Sequence, residues 1–314
     1  MVMAKRKYSK KSNIEPAVQT LTFATPGAGA GTWFIDLSQV ASLVNRRFYR
    51  QGINWAVGSI KFLSTRGGQA NVYKLQNTWV TANAWQKAFS KWNKQQMDAV
   101  RGMGAESAVA KFRDFKIFMN ADHVTAGYGA NLLPLDSTGT PVLPGEWEPS
   151  QVVIPNDGAP GVTNEYFVQM NGASTPQAKS IIGGYVFSRS YPQSPDPVSP
   201  AVETSWLNRM FDVGDENDDV LDNATDRNDE LPYDQLGYPG SSANFCGLQW
   251  HDIVQLHSTS GTTSIGTQMG KGGNFPCGLM AINWNPEESA NLVIQINLIP
   301  GSHRGYLCEP MTEM

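Results

Sequence analysis

The chain has 314 residues, of which 40% are hydrophobic and 17% charged, and a net charge of −4. This composition is typical of a soluble globular chain with one substantial core and excludes an intrinsically disordered protein. No run of 18 apolar residues occurs, which excludes a membrane-spanning helix.

Charge is distributed unevenly along the chain. Residues 1–116 contain 18 Lys and Arg against 5 Asp and Glu, whereas residues 117–314 contain 6 against 23. Such polarity indicates that one part of the molecule faces a polyanion. No apolar stretch follows the first charges, so we expect no secretory signal and a protein of the cytosol or nucleus.

Five basic residues within seven positions stand near the start of the chain: Lys5, Arg6, Lys7, Lys10 and Lys11. Nothing apolar among them anchors a fold. We therefore predict a basic N-terminal arm at residues 1–20 and a folded domain at residues 21–314. The arm either contacts nucleic acid or is a solubilising terminus.

Nine segments have the alternation or the β-branched and aromatic content of strands. They are residues 32–37, 53–63, 70–75, 112–119, 165–170, 181–189, 250–256, 278–284 and 292–299. Little helix separates them, which argues against a parallel βαβ sheet. The long Pro- and Gly-rich connections 121–161 and 190–244 predict an all-β antiparallel sandwich of jelly-roll type with decorated loops.

A second basic cluster follows the first predicted strand. Arg46, Arg47 and Arg50 flank Phe48 and Tyr49. Guanidinium groups beside aromatic rings bind phosphates while the rings stack on unpaired bases. A turn at a strand edge has the same composition, so this alternative stays open.

One amphipathic helix is predicted at residues 81–100. One face carries Trp85, Phe89 and Trp92. The opposite face carries Lys87, Lys91 and Lys94. The aromatic face is typical of a helix that covers a β core, and the lysines then face nucleic acid or an acidic neighbour.

The segment 212–230 is acidic at nine of nineteen positions and is predicted as an exposed loop. Asp215, Asn217 and Asp219 match the start of a calcium-binding EF-hand loop. Val220 replaces the required glycine and Asp226 the bidentate glutamate, so no metal site is predicted. The three cysteines Cys246, Cys277 and Cys308 form no metal or disulfide pattern and are expected as free thiols.

Enzymatic signatures are absent from the sequence. The segment 266–271 is one residue short of a phosphate-binding loop and continues with Gly272 instead of Ser or Thr. No nucleophile elbow and no paired ligand spacing occurs. We therefore expect no enzyme, no catalytic residue and no cofactor.

Four segments together resemble a known family. They are residues 44–57, 77–93, 228–235 and 275–279. In these segments the chain resembles the capsid proteins of small circular, replication-initiator-encoding single-stranded DNA viruses, the circovirus-like group. The resemblance extends over most of the chain, and none of the four is a catalytic motif.

The resemblance implies a single eight-stranded jelly roll that assembles from identical subunits, about 60 in a minimal shell, around a circular single-stranded DNA. It places the basic arm inside the shell as a DNA-binding and nuclear-import segment, here short and rich in Lys. Binding would lack sequence preference and involve no membrane. The expected location is the virion, after the host nucleus or cytoplasm.

Two other functions fit the same residues. The coat protein of a small RNA virus uses the same arm and sandwich. An intracellular β-sandwich module that binds a glycan or a protein would use the nine Trp and ten Tyr for stacking. The formation of closed particles would distinguish a capsid protein from such a binding module.

Overall fold

The computed structural model describes residues 16–108, 114–156, 161–189, 240, 247–257 and 265–313. Within them lie four α-helices. They are α1 (Leu37–Asn45), α2 (Trp79–Gly102), α3 (Ala121–Ala126) and α4 (Ile181–Arg189). No helix in this part of the chain is long and apolar enough to cross a membrane.

Most of the regular structure is β-strand. The first seven strands are β1 (Thr20–Ala24), β2 (Gly31–Asp36), β3 (Ile53–Ser64), β4 (Gly68–Lys74), β5 (Gln151–Pro155), β6 (Thr163–Gln169) and β7 (Ala178–Ser180). The others are β8 (Gln249–Leu256), β9 (Gly266–Phe275), β10 (Leu279–Pro286), β11 (Leu292–Leu298), β12 (Pro300–Gly301), β13 (Gly305–Tyr306) and β14 (Cys308–Pro310).

Two antiparallel sheets form the body of the molecule. The first sheet has the order β1-β11-β3, and both β9 and β14 pair with β3. The second sheet has the order β2-β10-β4-β8. The strands β5, β6 and β7 form a third sheet, and β12 pairs with β13. The predicted all-β, antiparallel class is therefore confirmed.

Side chains from the two large sheets meet in one core. Residues two apart on a strand share a face, so Ile294 and Ile296 on β11 point the same way, and so do Met280 and Ile282 on β10. All four are fully buried in this core. It supplies the main hydrophobic stabilisation of the sandwich.

The outer face of the second sheet is covered as well. Leu279 and Ala281, which alternate with the inward residues of β10, are buried in a second core. The covering residues come from the long connection between β4 and β8, which contains α2, α4 and the third sheet. The strand β10 is thus buried on both faces.

The predicted helix at 81–100 is confirmed as α2. Thr78 caps its N-terminus by accepting a hydrogen bond from the Thr81 amide. The predicted aromatic face packs inward: the Trp85 ring stacks on Phe89 at 5.1 Å between centroids, and Trp92 lies 5.2 Å from Phe115. The helix covers a β core, as its periodicity indicates.

Two predicted strands are wrong. Residues 181–189 form helix α4. Of the segment 112–119, the described residues 114–119 contain a single bridge, between Phe118 and Gln169. Strands β1, β5, β7 and β9 were not predicted, and β9 covers the glycine-rich segment that resembled a phosphate-binding loop.

Candidate nucleic-acid interface

The second basic cluster occupies the loop between α1 and β3, residues 46–52, called here the basic loop. Asp36 starts α1 by accepting hydrogen bonds from the amides of Ser38 and Gln39, at 2.9 and 3.3 Å. Arg46 ends the helix in the left-handed conformation, with φ 53° and ψ 33°. The chain therefore turns at Arg46, which is itself exposed.

Arg46 and Arg50 are the exposed cations of this loop. Neither forms an ion pair with any residue in the described part of the chain. Both guanidinium groups are thus open to an anion from outside, and each offers the planar fork of donors that matches a phosphate.

Arg47 has a different role. It is half-buried, and its Nη1 donates to the carbonyl oxygens of Pro16 at 3.0 Å and of Arg304 at 3.3 Å. It therefore holds the beginning of the described chain beside the basic loop. Of the three predicted arginines, Arg47 is engaged within the fold.

The predicted arm residues Lys5, Arg6, Lys7, Lys10 and Lys11 lie outside the described residues. Their attachment point is described, because the arm is joined to Pro16. Four residues lie between Lys11 and Pro16 in the sequence.

The two aromatic residues of the cluster differ in exposure. Tyr49 is fully buried, 5.5 Å from the Tyr306 ring, and its hydroxyl donates to the Arg304 carbonyl oxygen. It is not accessible for base stacking. Phe48 is half-buried, and its ring centroid lies 6.4 Å from that of Trp147.

Trp147 and Lys116 complete the surface and were missed in the sequence. The Lys116 Nζ lies 4.6 Å from the centre of the Trp147 ring, a cation–π geometry. The loop surface therefore consists of Arg46, Phe48, Arg50, Lys116 and Trp147. No local signal indicates Trp147, because Glu146 and Glu148 flank it and only the fold brings it to the arginines.

A buried polar network supports the loop surface from below. The Gln51 side chain donates to Asp36 Oδ2 and to the Ile117 carbonyl oxygen, both at 3.1 Å, and accepts from the Ile117 amide at 2.6 Å. The Trp147 Nε1 also donates to Asp36 Oδ2, at 3.0 Å. This network fixes the basic loop and Trp147 relative to each other.

Two carboxyl groups in this network have raised pKa values. Burial raises the pKa of Asp36 to about 6, although the donors from Gln39, Trp147 and Ser38 act in the opposite direction. Burial also raises the pKa of Asp114, against the effect of the Gln51 amide and of Lys116 and Arg50. Partial protonation of Asp36 near pH 6 reduces the negative charge under the loop surface.

The lysines of α2 do not join the loop surface. Lys91 and Lys94 are exposed, and Lys87 lies 5.9 Å from the Tyr185 ring centre, beside α4. Among the described residues, no group of His, Cys, Asp or Glu could hold a metal ion. The acidic segment 212–230 and Cys246 lie outside the described part, while Cys277 and Cys308 are free thiols.

Comparison with protein-family models, curated proteins and solved structures finds no match for this chain. The function is therefore argued from the sheets and the loop surface themselves.

Proposed function

We propose that this chain is a jelly-roll capsid protein that assembles into an icosahedral shell and encloses circular single-stranded DNA. The pairing of strands supports the jelly roll. The eight strands β1, β2, β3, β4, β8, β9, β10 and β11 pair first with eighth, second with seventh, third with sixth and fourth with fifth. A long hairpin that rolls into two sheets pairs in this way.

The jelly roll alone does not select a function, because lectins and cupins share it with viral capsids. The observation that carries the proposal is the hydrogen bond from Arg47 to the Pro16 carbonyl oxygen. It joins the attachment point of the basic arm to the exposed arginines of the basic loop. The arm and the loop surface then form one continuous region for a polyanion.

The loop surface has the two components that single-stranded nucleic acid requires. Arg46, Arg50 and Lys116 bind phosphates, while Phe48 and Trp147 offer partly exposed rings to unpaired bases. Phosphate contacts carry no sequence information, so binding lacks sequence preference. Glu146 and Glu148 flank Trp147 at this surface.

Contacts between identical subunits need an exposed apolar surface, and β8 and β9 offer one. Trp250, Ile253 and Met269 are 52%, 53% and 58% exposed. The strand β8 is also an edge of the second sheet, which leaves part of its backbone without a partner strand. Apolar surface on a sheet edge favours association with another copy.

The proposal is tested with the purified full chain by electron microscopy, with nucleic-acid content measured on the same fraction. We expect uniform closed particles whose DNA is protected from nuclease, and particles emptied or destabilised by deletion of residues 1–11. Sensitivity of the content to ribonuclease instead would favour an RNA virus coat. A monomer or dimer free of nucleic acid at every salt concentration would overturn the proposal.

A further inference from the structure

A cleft of about 430 Å³ lies between α2, α4 and β5. Its wall is apolar and includes Trp92, Phe115, Val152 and Val168. Val153 and Ile154 of β5 also line it and are each 38% exposed. Volume and lining are those of a small-molecule site.

The uncharged polar groups of the cleft are already engaged. The Gln95 side chain donates to the Val153 carbonyl oxygen at 2.7 Å and accepts from the Val153 amide at 3.3 Å. Ser180 Oγ accepts from the Gly183 amide at 3.1 Å. An extended peptide would bury backbone groups here without hydrogen-bond partners, which is costly, and Gln95 blocks the addition of a strand at Val153.

The charged side chains that line the cleft are all basic. Lys87, Lys91 and Lys179 line it, and none of the described residues that line it is Asp or Glu. The Lys179 Nζ lies 4.1 Å from the Tyr166 ring centre, which holds this cation at the edge of the apolar wall. Lys91 is exposed.

We infer that this cleft binds a single-chain anionic amphiphile, with an unbranched alkyl chain on the apolar wall and a carboxylate at Lys91 and Lys179. An alkyl chain needs no hydrogen bonds, and the lysines complement the negative head. This binding site is separate from the loop surface and does not depend on the proposed capsid function.

Isothermal titration of the full chain with dodecanoate, decanoate and dodecanol, below their micelle concentrations at pH 8, tests the inference. We expect one dodecanoate per chain. Decanoate binds more weakly on the order of tenfold, because each buried methylene contributes about fourfold. Dodecanol binds more weakly than dodecanoate because it lacks the charge.

Variants locate the site. A Cβ on Gly184, which lines the cleft, meets no atom within 4 Å, so we expect Gly184→Leu to add an apolar side chain at the cleft without overlap at its Cβ. We expect it to weaken dodecanoate binding at least tenfold, while Gly102→Leu, at the open end of α2, leaves binding unchanged. We expect the double variant Lys91→Gln with Lys179→Gln to weaken dodecanoate binding roughly two- to fivefold and to leave dodecanol binding unchanged. The control Lys94→Gln should change the affinity for neither ligand.

Three results would overturn the inference. They are the absence of dodecanoate binding to the folded chain, binding that neither Gly184→Leu nor the lysine pair alters, and equal affinity for dodecanol and dodecanoate. If circular dichroism shows that Gly184→Leu does not fold, the dodecanoate affinity of the double variant Lys91→Gln with Lys179→Gln still tests the inference. Binding of an acidic apolar peptide without dodecanoate binding would assign the cleft to a protein partner and also overturn the inference.

Discussion

Asp36 is a buried carboxyl group that does two things at once. It caps α1 and it accepts hydrogen bonds from Gln51 and Trp147 under the loop surface. Its four donors favour the ionised form, but full burial outweighs them and raises its pKa from 3.8 to about 6. The positions of Phe48 and Trp147 thus depend on a group that titrates in mildly acidic solution.

The raised pKa of Asp36 predicts how stability changes with pH. Between pH 4 and 6 the folded state binds more protons at Asp36 than the unfolded state does, so the contribution of Asp36 to the free energy of unfolding falls as pH rises through this window. Buried His123, whose pKa burial lowers to about 4, contributes in the opposite direction. The shift from 3.8 to about 6 corresponds to about 3 kcal/mol. Above pH 7 both states are ionised and the contribution of Asp36 is constant.

The check is urea unfolding from pH 4 to 7 of the wild type and of Asp36→Asn, which retains an oxygen for the helix cap. We expect the free energy of unfolding of the variant, relative to that of the wild type, to rise with pH through this window, because the variant lacks the contribution of Asp36 and keeps those of Asp114 and His123. Asp136→Asn is the matched control, because hydrogen bonds from Thr138 lower the pKa of that exposed carboxyl and place its titration below the window. An identical pH profile for wild type and Asp36→Asn would refute the assignment.

Gly272 is required by close approach of two strands. A Cβ at this position would overlap the carbonyl oxygens of Val57 and Gly58 on β3. Neither backbone atom moves without shifting the ladder, so we expect Gly272→Ala to lower the free energy of unfolding by about 1–3 kcal/mol or more. Gly27→Ala, where a Cβ meets nothing within 4 Å, should change it by less than about 1 kcal/mol, measured by the same urea titration. Equal effects would contradict the predicted overlap.

At the scale of elements, the sequence predicts strands with strong alternation and fails where tertiary contacts decide. The residues 292–299 alternate clearly and form β11. The strand β9 contains four glycines and almost no β-branched residue, so no pattern indicates it. Its glycines are explained by the close approach of other parts of the chain: the backbone of β3 at Gly272, the His251 ring at Gly273 and the His257 carbonyl oxygen at Gly266.

Residues 181–189 were predicted as a strand and form a helix. Their β-branched and aromatic content favours a strand, yet they form α4 because Ile181 and Ile182 are buried in the second core. One local signal for the helix was present, since Ser180 accepts from the Gly183 amide as a capping residue does. At residues 114–117 the side chain of Gln51 bonds both backbone groups of Ile117, which replaces a partner strand.

Only part of the candidate site was predicted from the sequence, because tertiary contacts bring the other residues to it. Arg46 and Arg50 lie within five consecutive residues of the sequence, so local composition was sufficient to find them. Trp147 and Lys116 join them only through Asp36, Gln51 and the fold. Burial of Tyr49 follows from its contact with Tyr306, which is 257 residues away in sequence, and no local pattern reports such a contact.

Helix α2 supports the basic loop as well as the second sheet. The Trp85 ring lies so close to Gly52 that a Cβ there would overlap it. We expect Trp85→Ala to cost about 3–5 kcal/mol in unfolding free energy, while Lys94→Ala on the exposed face stays within about 0.5 kcal/mol. Chemical denaturation of both variants measures this, and similar losses would mean that α2 is not packed through its aromatic face.

At the scale of the whole molecule, the two ends of the described chain meet at the basic loop. Arg47 contacts Pro16 and Arg304, and the Tyr306 hydroxyl donates to the Val18 carbonyl oxygen at 2.6 Å. In a shell of about 60 copies, five arm charges with Arg46, Arg50 and Lys116 give about 480 positive charges against one phosphate per nucleotide.

A genome of about a thousand nucleotides or more would exceed that supply, so the proposed function requires the exposed cations of the loop surface as well as those of the arm. For single strands, every phosphate contact contributes about 0.7 to the slope of log affinity against log salt concentration. We expect Arg46→Gln with Arg50→Gln to reduce that slope by about 1.4 for a short oligothymidylate bound to the full chain. Fluorescence anisotropy at several salt concentrations measures it.

Two comparisons make this measurement specific. Arg101→Gln removes an exposed cation at the end of α2, 3.9 Å from Asp98, and should leave the slope unchanged. Arg47→Gln should instead lower the stability of the fold, because it frees the carbonyl oxygens of Pro16 and Arg304. An unchanged slope in the double variant would place the phosphate contacts on the arm alone. A change of the slope in Arg101→Gln as large as in the double variant would mean that only net charge attracts the DNA.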